Sequence, residues 1–211
     1  MRLNRILLAL SVPALLVACS DGGGEASPST APATPEATAP VTTAAVTTVP
    51  ETTAAAEPLL ILVTNDDGIE ADGLTTLVHG LEQIPDVEVV VVAPAENQSG
   101  SSDKTTEGEI VHTDVTTAAG IAGVAVQGFP ADTVNVAVDE LGIEPDLVVS
   151  GINFGQNASF AVPLSGTVGA ARTAARRGIP AIAVSGSLEG VDFEIAAQLA
   201  VDEVTTHIAE Y

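Results

Sequence analysis

Two adjacent carboxylates, Asp66 and Asp67, stand between Asn65 and Gly68 at the end of the apolar run Leu59–Thr64. Paired carboxylates at a strand end are costly unless hydrogen bonds or a cation compensate them. Hard cations such as Mg²⁺ or Mn²⁺ take oxygen ligands of this kind. Asn-Asp-Asp-Gly is equally good turn chemistry. Three further clusters follow apolar runs or open a helical one. Asn97-Gln98-Ser99-Gly100 offers amide and hydroxyl oxygens, in a stretch that also reads as a plain polar loop. Ser150-Gly151-Ile152-Asn153-Phe154-Gly155-Gln156-Asn157 offers Asn153 as a neutral oxygen ligand, with glycines that let a ligand approach the backbone. Ser165-Gly166-Thr167 opens an apolar helical pattern, where backbone N–H groups make an anion site and the hydroxyls add donors. Either hydroxyl can also simply cap the helix. Carboxylates for a cation beside N–H groups for an anion suit phosphoryl transfer to water.

The elements that must position these clusters are legible in the apolar pattern. Strands are expected at 59–64, 87–93, 146–150 and 181–185, each a run apolar enough to be buried on both faces. Two short strands are expected within 110–126, around a turn at 118–122. Helices are expected at 73–83, 131–141, 166–177 and 191–209, with long polar loops at 94–108 and 151–164. Strands alternating with helices indicate an α/β domain, a Rossmann-like three-layer arrangement with a mostly parallel sheet. In such sheets ligands sit beyond the carboxyl ends of the strands, which is where the clusters fall.

Taken in order, Ile61–Gly68, Val92-Ala93-Pro94 with Asn97–Gly100, Asp146–Asn153 and Ser165–Ala171 resemble the SurE family, the bacterial survival-protein 5′/3′-nucleotidases. Gly128–Val134 and Gly178–Ser185 resemble two further family segments, and the likeness runs from about 59 to 187. It implies a phosphomonoesterase acting on nucleoside 5′- and 3′-monophosphates with one divalent metal ion, Mg²⁺ or Mn²⁺. The family's metal ligands fall on Asp66, Asp67, Ser99 and Asn153, with the two aspartates as the catalytic pair. Its phosphate-binding groups fall on Asn97, Ser165, Gly166 and Thr167. Leu164 stands where the family commonly has tyrosine, Asp72 where it has proline, and Ser159 where glycine is expected. Family members also continue past the equivalent of Tyr211 into an arm used in oligomer contacts. The expectation is therefore a shortened domain or an incomplete product, and a homo-oligomer is left open. A non-catalytic module that binds nucleotide or a partner is the alternative reading.

The rest of the chain is of another kind. Met1–Arg5 carries two arginines, followed by an apolar run over 6–18, too short to span a membrane and built like a secretory signal. It ends Leu16-Val17-Ala18-Cys19, which resembles the lipobox of bacterial lipoproteins. The expectation is a signal over 1–18, lipid on Cys19, and export to the outer face of the cytoplasmic membrane. Cys19 is the single cysteine, so no intrachain disulfide forms. Residues 19–58 are rich in Pro, Thr and Ala and lack Leu, Ile and aromatic residues, so they read as a tether that buries no core. The domain expected at 59–211 has only Lys104, Arg172, Arg176 and Arg177 as basic residues, within a chain of net charge −22. Binding along a nucleic acid polymer needs clustered Lys and Arg, so that class of partner is excluded, while a small phosphorylated substrate is not.

Overall fold

The computed structural model describes residues 57–187 and 190–211. The expected signal, Cys19 and nearly all of the tether lie outside the described residues. The described chain runs β1 (Leu59–Thr64), α1 (Asp72–Leu81), β2 (Val87–Pro94), β3 (His112–Thr116), β4 (Ala122–Val126), α2 (Pro130–Asn135), β5 (Leu147–Asn153), α3 (Gly166–Arg176), β6 (Ala181–Ser185) and α4 (Phe193–His207). One six-stranded sheet has the order β3-β4-β2-β1-β5-β6. All neighbours are parallel except β3 against β4, a hairpin at one edge. β1 therefore lies inside the sheet, and its carboxyl end opens between those of β2 and β5.

Alternation along β1 builds two cores. Ile61 and Val63 face Leu74, Leu77, Val78 and Leu81 of α1 and Ala196, Ala200 and Val204 of α4. Leu62 faces the other way, into a cluster with Val92, Val148, Val134 of α2, and Ala170 and Ala174 of α3. Both faces are covered, which is why β1, β2 and β5 read as continuous apolar runs instead of alternating ones. Small residues on α3 and α4 bring those helices close to the sheet.

The expected elements are present with shifted ends. The helix expected over 131–141 begins at Pro130, where proline's missing N–H costs nothing, and beyond Asn135 it widens into a π turn over Val136–Glu140. The widened turn places Val136 and Ala137, both fully buried, in the second core. The last helix starts only at Phe193, because Asp192 accepts from the Ile195 amide at 3.1 Å and fixes the N-terminus there. The expected loop 151–164 contains the end of β5 and a 3-10 turn over Ser159–Leu164.

Candidate active site at the carboxyl edge of the sheet

β1 delivers Asn65, Asp66 and Asp67 to the carboxyl edge of the sheet. Asn65 is fully buried and closes the turn on itself. Its Nδ2 donates to the Gly68 carbonyl at 2.8 Å and its Oδ1 accepts from the Gly68 amide at 3.2 Å. Gly68 sits at φ +103°, a conformation that a side chain would strain. The turn thus holds the two carboxylates at a fixed orientation relative to the strand.

Asp66 is 3 % exposed. Its Oδ1 accepts from Thr167 Oγ1 at 2.7 Å, and the Thr167 backbone amide also bonds the carboxylate. The first turn of α3 therefore aims at Asp66. Burial pushes the Asp66 carboxyl above the usual carboxylate range, the Thr167 hydrogen bond opposes that shift, and the charge of Asp67 adds to it. Gly166 completes the contact: a Cβ there would fall 2.7 Å from Asp66 Cβ and 2.9 Å from Oδ2, so only glycine lets α3 approach this closely.

Asp67 is more open and is held by two other loops. Its Oδ1 accepts from Asn97 Nδ2 at 3.1 Å, and its Oδ2 accepts from the Phe154 amide at 2.8 Å. Asn97 Oδ1 in turn accepts from the Ser99 amide at 3.0 Å, so Ser99 is carried on the same turn. The Gln98 amide donates to the Asp66 carbonyl at 2.7 Å, which ties the loop after β2 directly to the end of β1. Asn153 ends β5, next to the amide that binds Asp67. Its Nδ2 donates to the Gly155 carbonyl at 3.0 Å, so Oδ1 is the end of this amide that a cation would take.

Asp66, Asp67, Asn97, Ser99, Asn153, Ser165, Gly166 and Thr167 lie on the loops and the helix start that meet at this edge. Asp66, Asp67, Asn97 and Thr167 are joined by direct hydrogen bonds, while Ser99 and Asn153 are brought in by their immediate neighbours. Ser165 Oγ accepts from the Val168 amide at 3.1 Å and caps α3, and Gly166 lies against Asp66. The expected phosphate groups are thus partly engaged inside the protein: Thr167 on Asp66, Asn97 on Asp67. Asn157, in the loop after β5, has no role of its own in the sequence pattern. It donates to Ser185 Oγ at 2.9 Å and lies 3.4 Å from Thr167 Oγ1, so it joins the end of β6 to the Thr167–Asp66 pair. Nothing in the local pattern distinguishes it from a loop asparagine.

The basic side chains brace the site without entering it. Arg172 donates to the Val162 carbonyl at 2.8 Å, and Arg176 pairs with Asp103. Both tie α3 to the loops that flank the carboxylates. Arg177 pairs with Asp139 and Asn135 of the neighbouring helical segment. The histidines lie elsewhere: His112 is 3.3 Å from Glu140, His207 faces Glu203, and His79 is exposed on α1.

The donor set fits a hard divalent cation. Asp66 and Asp67 adjoin each other, and one of them is buried. Among the described residues the ion pairs involve neither of them, so no side-chain cation offsets their charge. The described residues hold no cluster of three His, Cys, Asp or Glu, so further ligands would be neutral oxygens such as those of Asn153 and Ser99.

The family model for survival protein SurE matches residues 61–211. The chain belongs to the SurE family. Among SurE relatives, 5′-nucleotidase SurE of Halobacterium salinarum is 44 % identical over 154 residues, covering 71 % of this chain and 57 % of that protein. 5′-Nucleotidase SurE of Desulfatibacillum aliphaticivorans is 48 % identical over 147 residues, covering 68 % and 57 %. The crystal structure of the SurE protein from Aquifex aeolicus superposes with a TM-score of 0.63 at 34 % identity, covering 72 % of this chain and 60 % of that one. The chain thus spans a little over half the length of these SurE relatives.

Proposed function

We propose that the domain is a divalent-metal-dependent phosphomonoesterase that hydrolyses nucleoside 5′- and 3′-monophosphates to nucleoside and phosphate. The observation that carries this reading is the Asp66–Asp67 pair, set against the N-terminus of α3 with no cationic side chain to balance it among the described residues. The names of the SurE relatives, 5′-nucleotidases at 44–48 % identity, support the substrate class.

One Mg²⁺ or Mn²⁺, held by Asp66, Asp67, Ser99 and Asn153, would supply positive charge to the phosphate oxygens and lower the pKa of an attacking water. The chain's own groups do the positioning. Thr167 orients the Asp66 carboxylate, and Asn97 with the Phe154 amide orients that of Asp67. Ser165 accepts through its oxygen, so its hydroxyl proton is available to a phosphate at the start of α3, where the helix dipole favours negative charge. Asn97 can turn its amide from Asp67 to the substrate.

We further propose that a signal over 1–18 and lipid on Cys19 carry the domain to the outer face of the cytoplasmic membrane, with residues 19–58 giving reach. Among the described residues no helix is long and apolar enough to cross a membrane. An exported nucleotidase of this kind would release nucleosides for uptake.

Phosphate release from a panel of nucleoside 5′- and 3′-monophosphates, with Mn²⁺ and with a chelator, tests the reading in the full chain. Turnover that requires the metal is expected. Nucleotide binding by a cooperatively folded protein without any turnover would contradict it and leave a binding module.

A further inference from the structure

The protein has four phenylalanines, one tyrosine and no tryptophan. Two of these five aromatic side chains are spent in the open: Phe154 is 71 % exposed and Phe160 is 84 % exposed. Both lie between β5 and α3, on the segment that follows Asn153. An exposed aromatic ring beside a polar site offers a face on which a flat ligand can stack.

Phe154 is the one bonded to the site. Its backbone amide donates to Asp67 Oδ2 at 2.8 Å, so its ring is rooted directly beside the carboxylate pair. The ring is also braced. It stands 6.4 Å from the Phe193 ring, centroid to centroid, at an interplanar angle of 52°. That tilted contact holds one side of Phe154 while most of its surface stays open.

The backbone around it is fastened at both ends. The Gly186 amide donates to the Asn153 carbonyl at 3.0 Å. Further on, Ser102 Oγ donates to the Pro163 carbonyl at 2.6 Å, and the Ser102 amide donates to the Leu164 carbonyl at 3.0 Å. A ring displayed on a tied backbone loses little conformational freedom when a ligand settles on it.

We infer that Phe154 is the specificity-determining residue for a nucleobase, which stacks on its open face while the phosphate of the same molecule lies at Asp66 and Asp67. This inference rests on the nucleotidase reading and deepens it. In a nucleoside monophosphate the base is one ribose from the phosphorus, and here the ring is one side chain from an amide bonded to Asp67. Stacking is tolerant of base identity, because every base presents a π face. The Phe154 surface therefore selects nucleotides over phosphoesters that lack a base, without selecting strongly among the bases.

The test compares adenosine 5′-monophosphate with ribose 5-phosphate, which keeps the phosphate and sugar and lacks the base. The full chain with Mn²⁺ is assayed as wild type, Phe154→Ala and Phe154→Tyr. Phe154→Ala is expected to raise KM for the nucleotide about tenfold, to leave kcat within about twofold, and to leave the ribose 5-phosphate KM unchanged. Phe154→Tyr restores the nucleotide KM, since its ring stacks equally. A parallel loss on both substrates would mean that Phe154 only orders the Asp67 loop, and would overturn the inference. An unchanged nucleotide KM overturns it as well. So does a dimer by sedimentation that Phe154→Ala dissociates, because a second copy would then cover the ring. If the wild type turns over neither compound, the nucleotidase reading fails separately. Calorimetric binding of the two compounds to the Mn²⁺-loaded protein then decides the inference, which requires a preference for the nucleotide that Phe154→Ala removes.

Discussion

Thr167 Oγ1 donates to Asp66 Oδ1 at 2.7 Å across 101 residues of sequence. This bond joins the end of β1 to the start of α3 and holds the buried carboxylate in place. Thr167→Val keeps the shape and removes the hydroxyl. It is expected to destabilise the protein by about 1.5–3 kcal/mol, the range for a hydrogen bond to a charged group. Urea melts measure that loss. Loosening Asp66 should also weaken Mn²⁺ affinity, read by calorimetric titration.

Asp66→Asn tests the opposite balance. The carboxylate is buried, adjoins Asp67, and among the described residues has no side-chain cation paired with it. The variant keeps an oxygen for Thr167 and removes the charge. The metal-free protein should therefore gain stability. At the same time the stabilisation that Mn²⁺ confers on the wild type should disappear. Thermal melts with and without Mn²⁺ check both halves.

The clusters that carry Asp66, Asp67, Asn97, Ser99, Asn153 and Thr167 were legible as polar stretches that follow or begin elements with strong apolar signals, each equally readable as a turn, loop or cap, and the roles expected of single residues came from the resemblance to the SurE family. The strands of the parallel core show as runs such as Val89–Ala93, and burial on both faces is what makes them readable. The partners were not legible. That Thr167 serves Asp66 and Asn97 serves Asp67 depends on how three loops converge, and no local pattern encodes it. Asn157 and the Phe154 amide were missed for the same reason. The π turn after Asn135 was hidden because its apolar spacing still reads as helical.

Asp132 carries a structural role of similar weight. It is fully buried, and its carboxylate accepts from the Thr106 amide, from Thr106 Oγ1 at 2.7 Å and from the Phe129 amide at 2.9 Å. It pins the end of the loop after β2 to the start of α2. Asp132→Ala leaves these donors without their acceptor and is expected to cost about 2–4 kcal/mol. Denaturant unfolding measures the loss, and hydrogen exchange at Thr106 should rise with it.

Arg176 hydrogen-bonds Asp103 and holds its carboxyl below the usual carboxylate range. A carboxyl whose folded pKa is depressed contributes stability above its unfolded value, and that contribution is lost as pH falls through the folded one. Arg176→Gln should therefore be less stable than wild type at neutral pH, with the gap closing below about pH 4. Both groups are solvent-accessible, so the gap should stay within about 1 kcal/mol. Urea melts across the acid range follow it.

We propose that the Asp66–Asp67 pair holds the metal that hydrolysis needs. Phosphate release from adenosine 5′-monophosphate across a Mn²⁺ titration, for wild type beside Asp67→Asn, tests it most directly. Saturable, metal-dependent release by the wild type is expected, with a loss of at least about 100-fold in the variant, while the variant still melts cooperatively. Undiminished release by Asp67→Asn, or release by the wild type that persists in a chelator, would contradict it.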